Sequence, residues 1–422
     1  AQREAVCHTE GPLLILAGAG SGKTRVLTYR IAQLLSDGVN PKNILAVTFT
    51  NKAAEEMRQR ATDLIGPQAV GIWLATFHST CVRILRQDGP AIGLDRNFVI
   101  YDTQDQLTVV KEVMRELNLS ETNFNPRAVL STISGAKNEL IGPEQYEKQA
   151  ADFWSEVVRK VYPLYQKKLR QNSAVDFDDL IMMAISLFQE HPEILGKYQQ
   201  RFRYIMIDEY QDTNHAQYTL VNLLARKYRN LCVVGDDDQS IYSFRSADIR
   251  NILHFEKDYP EVKVVKLEQN YRSTQNILKA ANEVIRNNHS RKSKTLWTEN
   301  EEGTPVTVFK VADEKEEAWL VSSLIEQLIR EEGRKFSDFA LLYRTNAQSR
   351  AFEEVFIQKG IPYKIVGGLR FYDRKEIRDI LSYLKLIFNP NDRISLRRVI
   401  NTPKRGIGET TVERLLGFMD TN

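Results

Sequence analysis

Gly18, Gly20 and Gly22 alternate in the stretch AGAGSGKT, and Lys23 and Thr24 follow directly. Glycine lets a backbone take unusual dihedrals and come close to a ligand. A loop of this kind opening a helix turns its N–H groups inward and cradles phosphate. The cradle comprises Gly18, Ala19, Gly20, Ser21 and Gly22. Lys23 is then in reach of the β- and γ-phosphates of a nucleotide, and Thr24 can hold Mg²⁺. The strict pattern wants glycine five places before Gly22, and Ala17 stands there instead. Alanine is small, and the other glycines remain.

Such a site needs an acid at the end of a buried strand, and RYIMIDEYQDT supplies one. Asp208, at the strand's C-terminal end, is placed to hold Mg²⁺ through water, and Glu209 to activate the attacking water. Apolar strands ending in acids are common, so the pairing with the glycine-rich loop carries the weight. In VVGDDDQSIYSFR, Gln239 follows the next strand within reach of a γ-phosphate; alone, the segment would pass for a capped surface turn. In LEQNYRST, Tyr271 can stack on a base and Arg272 can neutralise transition-state charge, although a packed aromatic beside a surface arginine gives the same pattern.

These side chains converge only if several strands end at one edge of a sheet. LLILA, NILAVTF and GIWLATF read as short apolar strands, separated by helical patterns from Gly22 to about Leu35 and over NKAAEEMRQRATDLI. That alternation predicts an α/β fold with a parallel sheet covered on both faces. Strand signals return at YIMID, LCVVGD and VKVVKL, so residues 176–271 complete the sheet begun in 1–100. Residues 101–175 carry no clear strand. There, DTQDQLTVVKEVMRELNL has Thr103 and Gln106 at capping-box spacing, then Leu107, Val110, Met114 and Leu117 at helical intervals. This predicts a helical insertion. From 272 the alternation resumes with PVTVFKV, a helix near Glu314–Arg330, FALLYR, a helix near Ala347–Lys359 and PYKIVGG, which predicts a second, incomplete α/β domain.

Composition sets the remaining limits. The 422 residues suffice for two to four domains. A net charge of +3 neither demands nor excludes nucleic acid, because a basic groove can hide in a balanced total. No apolar run approaches the ~20 residues of a membrane span, and AQREAVCHTEGP is too polar for a signal peptide. Cys7, Cys81 and Cys232 fit neither a disulfide framework nor a zinc site, so a reducing cytosol is expected. The chain begins without Met and stops at GFMDTN after a helical pattern, which reads as a trimmed piece of something longer.

AGAGSGKT, TFTNKAAEEM, TFHS, IDEYQDTN, VGDDDQSIYSFRSADI, LEQNYRS and LLYRTNAQSR stand in one order along the chain. In this the chain closely resembles the bacterial superfamily 1A DNA helicases, the UvrD, PcrA and Rep group, most of all its PcrA branch. The form AGAGSGKT is similar to the one this group uses, so Ala17 points toward the family. The resemblance implies a motor of two RecA-like domains with ATP in the cleft between them. It makes 1–100 and 176–271 domain 1A, 101–175 the insertion 1B, 272–374 the first part of 2A, and 375–422 the start of a helical 2B.

By motif, the resemblance gives Lys23, Glu209, Gln239 and Arg272 the catalytic roles above, with Thr24 and Asp208 on Mg²⁺. It makes Gln2 the adenine-reading glutamine and adds Arg25 and Tyr271 to the nucleotide contacts. On the DNA side it implies Phe49, His78, Tyr242, Phe244 and Arg245, with Arg344 and Asn346 contacting DNA from 2A. Aromatic faces stack on any base, which suits binding without sequence preference. Phe244 is a departure, since tryptophan is common there; phenylalanine still stacks, with a smaller face. Gly406-Ile407-Gly408 before a helix start resembles a helix–hairpin–helix turn, and a plain glycine turn reads equally well.

The expected function is therefore ATP-dependent 3′–5′ translocation on single-stranded DNA and helicase action at single/double-strand junctions, in repair and replication, in the bacterial cytoplasm at the nucleoid. The family's last motifs, including an arginine finger from 2A, are not found in the 422 residues, so weak or absent ATPase is expected of the chain alone. Two alternatives stand beside it. One is the motor part of a helicase–nuclease; the other is a module acting mainly by binding RNA polymerase or replication proteins.

Overall fold

The computed structural model describes residues 1–149, 151–288, 291–292, 294–366, 375–408, 410–412, 414–415 and 417. The chain divides into two compact units, Ala1–Thr304 with Tyr383–Asn422, and Pro305–Ser382. Among the described residues, no helix is long and apolar enough to cross a membrane.

Eight strands run in chain order: β1 (Leu13–Ala17), β2 (Ile44–Thr48), β3 (Trp73–Thr76), β4 (Val99–Ile100), β5 (Ala174–Val175), β6 (Tyr204–Ile207), β7 (Leu231–Gly235) and β8 (Lys263–Leu267). Six form one sheet in the order β3-β2-β6-β7-β1-β8. Every pairing in it is parallel, as the alternating pattern predicts. Parallel sheets survive only with both faces covered, and the side chains divide accordingly. Leu14, Leu16, Leu45, Val47, Ile205, Ile207 and Val233 enter one core, with helices Phe77–Asp88, Phe177–Glu190 and His215–Ala225. Leu13, Ile15, Ala17, Ala46, Met206, Val234 and Val265 enter the other, with helices Lys23–Ser36 and Asn51–Ile65.

Local chemistry sets where helices begin. The Thr50 hydroxyl accepts from Ala53 N at 3.0 Å and starts Asn51–Ile65, which stops at Gly66 with φ 67°. Thr76, the last residue of β3, caps Phe77–Asp88 in the same way. Both caps leave the loop short, so Phe49 and His78 stay close to the sheet edge.

The insertion is helical, as expected, with Thr103–Glu116, Pro126–Asn138 and Phe153–Gln171 packed around Val110, Met114, Val129, Ile133 and Tyr165. The capping box differs by one residue: Asp102 caps the first of these helices and pairs with Asp105, where Thr103 and Gln106 were expected. A carboxylate accepts N–H bonds more strongly than a hydroxyl, and Asp102 Oδ1 takes both Gln104 N and Asp105 N. The periodicity also missed a two-strand closure, in which β4 pairs with β5 in parallel where the chain leaves and re-enters the first unit's main body.

The second unit holds helices Glu314–Glu332 and Ser349–Lys359 around Ile325, Phe356 and Ile361. The strands expected at PVTVFKV and FALLYR carry no ladder, and neither do residues 362–366; Gly367 and Gly368 of PYKIVGG lie outside the described residues. Val308 and Leu342 are 89% and 97% exposed. Alternating apolar residues mark a segment fit for a sheet, but only a ladder partner makes it a strand.

Candidate nucleotide site and nucleic-acid interface

The parallel register brings six strand ends to one edge. The loop after β1 carries Gly18–Gly22, that after β6 carries Asp208 and Glu209, that after β7 carries Gln239, and that after β8 carries Tyr271 and Arg272. At the far end of the same edge, the loop after β2 carries Phe49, and the first turn of helix Phe77–Asp88, directly after β3, carries His78. Crevices beyond the carboxyl ends of such strands are where open α/β sheets bind ligands.

Ala17 is the last residue of β1. It pairs with Leu267 of β8 and its methyl is fully buried in the sheet core. The loop proper begins one residue later, so no glycine is needed at position 17. Gly20 has φ +68° and Gly22 φ +91°, both in the left-handed region. A Cβ on Gly20 would lie 2.5 Å from Asn270 Nδ2 and 2.8 Å from Arg272 Cβ. Asn270 explains that closeness: its Nδ2 donates to Ala19 O at 2.6 Å, and its Oδ1 accepts from Arg272 N at 2.8 Å and Ser273 N at 2.7 Å. Tyr271 N donates to Gly20 O at 3.0 Å. One asparagine, inside LEQNYRST but not singled out from sequence, thus fastens the arginine-bearing turn to the phosphate loop.

Gln2 lies against the other side of the loop. Its Nε2 donates to Ser21 O at 2.8 Å and sits 2.9 Å from where a Gly22 Cβ would be. Ser21 Oγ donates to Gly18 O at 2.7 Å and holds the loop closed on itself. Arg25 is exposed, its guanidinium 5.5 Å from the Tyr29 ring, and Tyr271 is 55% exposed. Both are open to stack on a planar ligand.

Lys23 Nζ donates to Glu209 Oε2 at 3.0 Å. Glu209 has φ 50°, a left-handed conformation unusual for a residue with a side chain. Gln211 Nε2 also donates to Glu209 Oε2, at 3.0 Å, while Gln211 Oε1 accepts from Asp236 N at 3.0 Å. Gln239 Nε2 donates to Asp236 Oδ2 at 2.5 Å. The acid strand and the glutamine loop are therefore joined through the Gln211 side chain, which bonds Glu209 on one side and the Asp236 backbone N–H on the other.

Asp208 is buried, and burial, with Glu209 beside it, pushes its carboxyl up to about 6 against the pull of Lys23. Burial and Glu209 likewise raise Asp212 to about 6, and Asp212 Oδ1 is buried with no hydrogen-bond partner. Hard oxygen donors short of positive charge suit a divalent cation. With the Thr24 hydroxyl at the head of its helix, Asp208 fits Mg²⁺. The other acidic group, Asp236, Asp237 and Asp238, is already paired with Lys294.

The residues expected on DNA form two groups. Phe49, His78, Arg83 and Phe177 line a groove of about 570 Å³ with Thr50, Asn51, Thr76, Ser79, Val82, Ile100 and Leu180. Phe49 packs edge-on to Phe77 at 5.8 Å, and His78 edge-on to Phe177 at 5.7 Å. Burial holds the His78 imidazole below its ordinary value, favouring the neutral ring. Phe177, 45% exposed, was not singled out from sequence; a large aromatic at the first position of a helix was the available signal.

The second group lies on the turn Ser243–Arg245. Tyr242 and Phe244 are 38% and 71% exposed, with ring centroids 5.8 Å apart. The Arg245 guanidinium lies 5.4 Å from the first ring and 5.6 Å from the second. Exposed aromatics interleaved with arginine offer stacking faces and a charge for phosphate. Arg344 and Asn346 belong to the other unit, where both are exposed on a turn whose Arg344 N and Thr345 N donate to Gln348 Oε1.

Comparison with known proteins shows the family to which the chain belongs. The family model for the UvrD/REP helicase N-terminal domain matches residues 1–260, and that for the UvrD-like helicase C-terminal domain matches 265–421. The chain is similar to the ATP-dependent DNA helicase PcrA of Bacillus subtilis, 57% identical over 422 residues, all of this chain and 57% of that protein. It is 58% identical over 416 residues to PcrA of Staphylococcus epidermidis, covering 98% of this chain and 57% of the relative. PcrA of Staphylococcus aureus is 56% identical over 420 residues, 99% of this chain and 57% of its own length. The chain thus spans somewhat over half the length of these relatives. Because models of both helicase domains match it, the expectation of a weak or inactive motor finds no support here. On the two domain matches, the chain belongs to the UvrD/REP helicase family.

Proposed function

We propose that the protein is a PcrA-type, ATP-dependent DNA helicase that moves 3′ to 5′ on single-stranded DNA and works at single/double-strand junctions in repair and replication. The observation that carries this reading is the loop after β7. Within seven residues it presents Gln239, tied through Asp236 and Gln211 to Glu209, and then the exposed Tyr242, Phe244 and Arg245. A change at the nucleotide therefore has a short covalent route to the stacking faces.

In this reading the glycine loop and Lys23 bind the β- and γ-phosphates, and Gln2 and Tyr271 hold the base. Thr24 and Asp208 hold Mg²⁺, which when bound neutralises phosphate charge. Glu209 accepts the proton of the attacking water, Gln239 contacts the γ-phosphate, and Arg272 stabilises developing charge. Phe49, His78 and Phe177 offer one base-stacking site, Tyr242 and Phe244 the next, and Arg245 a backbone contact. Arg344 and Asn346 contact DNA from the other unit.

The test is ATP hydrolysis with Mg²⁺, with and without a homopolymeric single-stranded DNA. Hydrolysis should rise with DNA and vanish in Lys23→Ala under both conditions. DNA-stimulated turnover surviving in Lys23→Ala would remove the assigned site.

A further inference from the structure

The segment after helix Gln275–Ile285 touches three parts of the nucleotide site at once. Lys294 is buried, with Nζ 2.8 Å from Asp236 Oδ1, 2.8 Å from Asp238 Oδ2, and bonded to Asp237 Oδ1. Arg291 grips Asp238 with two bonds of 2.7 Å, and Lys292 N donates to Asp237 Oδ2 at 2.6 Å. Two residues on, the Leu296 side chain fills the space a Cβ on Gly18 would need. Trp297 O accepts from Asn270 N at 2.7 Å, and Trp297 N donates to Glu268 O at 3.1 Å.

Asp236 and Asp237 are buried and Asp238 half-buried, and three successive carboxylates so placed repel one another and lose hydration, which is tolerable only with cations among them. Lys294 is the cation that touches all three. Asp236 takes Lys294 on Oδ1 and accepts from Gln239 Nε2 on Oδ2, so the carboxylate that needs Lys294 also sets the direction of the glutamine amide. Burial disfavours the charged amine, but the three aspartates more than offset that and raise Lys294 above its ordinary value, so it is charged throughout the physiological range.

We infer that Lys294 is a positioning residue for ATP recognition: by neutralising Asp236, Asp237 and Asp238 it holds Gln239 where the γ-phosphate will lie. With Lys294 removed, the repelling aspartates move the loop. Gln239 then loses its alignment, while Gly18–Gly22 still bind the phosphates common to ATP and ADP. The inference rests on Gln239 as the γ-phosphate contact.

The experiment is equilibrium binding of a non-hydrolysable ATP analogue and of ADP, each with Mg²⁺, to the whole chain. Loss of one charge-assisted hydrogen bond corresponds to about tenfold in affinity. Lys294→Met should therefore raise the ratio of the analogue's Kd to that of ADP by about tenfold. Gln239→Ala should do the same, and the double variant no more than either. Lys294→Arg, which keeps the charge, should restore most of the ratio. An equal change for both nucleotides, or an effect that adds in full to Gln239→Ala, overturns the inference. If Lys294→Met does not fold, the same cycle is run with Lys294→Gln, which also removes the charge and whose shift in ratio must vanish in the Gln239→Ala background. Lys23→Ala separates the two failures. Should it leave both affinities intact, the nucleotide site itself is misassigned; should it weaken both while the Lys294 and Gln239 effects add, only the positioning role falls.

Discussion

Lys23 Nζ and Glu209 Oε2 lie 3.0 Å apart, with the lysine side chain 12% exposed and the glutamate 37%. The cation of the phosphate loop and the proposed base thus partner each other. Phosphate oxygens can replace the glutamate on Lys23, and that exchange releases Glu209 toward water.

Glu209→Gln should keep nucleotide binding, since it removes a competitor for Lys23. Hydrolysis should fall by roughly two to four orders of magnitude, the usual worth of a general base. Binding of a labelled ATP analogue and steady-state turnover check the two halves separately. Normal turnover would remove Glu209 as base.

Ala17 and Gly20 should respond in opposite ways. Ala17→Gly deletes a methyl buried in β1 and should lower stability by about 0.5–1 kcal/mol, with nucleotide affinity unchanged. Gly20→Ala forces a Cβ into Asn270 and Arg272 at a left-handed position, and should weaken nucleotide binding far more than it lowers the melting temperature. Equal effects on binding would contradict the assignment of Ala17 to the strand rather than the loop.

Tyr242→Ala and Phe244→Ala remove exposed rings, so both variants should fold normally. Each should weaken single-stranded DNA binding by roughly 1–3 kcal/mol, alike for poly-dT and mixed sequences. Fluorescence titration with two unrelated oligonucleotides tests this; a loss confined to one sequence would argue against stacking. Phe49 is a poorer probe, because its ring also packs on Phe77.

The joint between insertion and sheet has its own pH signature. Burial, with Asp176 nearby, pushes the Asp178 carboxyl up to about 6; Lys137 and the Ser134 hydroxyl, which donates to Asp178 Oδ2 at 2.7 Å, pull the other way. The folded state therefore prefers Asp178 protonated. That contribution is complete below the unfolded value near 3.8 and is lost as pH rises through about 6. Asp178→Asn, neutral throughout, should melt close to the unaltered protein at pH 4.5 and distinctly higher at pH 8. A gap that does not grow with pH would show that the group is not held neutral.

Much of this was legible in the sequence because it is local. All six strands of the main sheet show as short apolar runs, and the phosphate loop, Asp208-Glu209 and Gln239 each sit just past one of them. What was not legible depends on partners distant in sequence. Asn270 matters because Ala19 O is beside it, 251 positions away in the chain. Lys294 matters because of Asp236–Asp238, and Phe177 because of His78. The apolar alternation at 305–311 marks a segment suited to a sheet without saying what it pairs with. The capping box moved from Thr103 to Asp102 because spacing alone does not choose between adjacent polar residues.

The central claim is that nucleotide and DNA sites share the loop after β7, and linkage tests it most directly. Binding of the non-hydrolysable ATP analogue should change in the presence of single-stranded DNA. DNA affinity should change by the same factor when the analogue is present. Gln239→Ala should bring that factor toward one while leaving both separate affinities measurable. Independent binding of the two ligands in the unaltered protein would contradict the account.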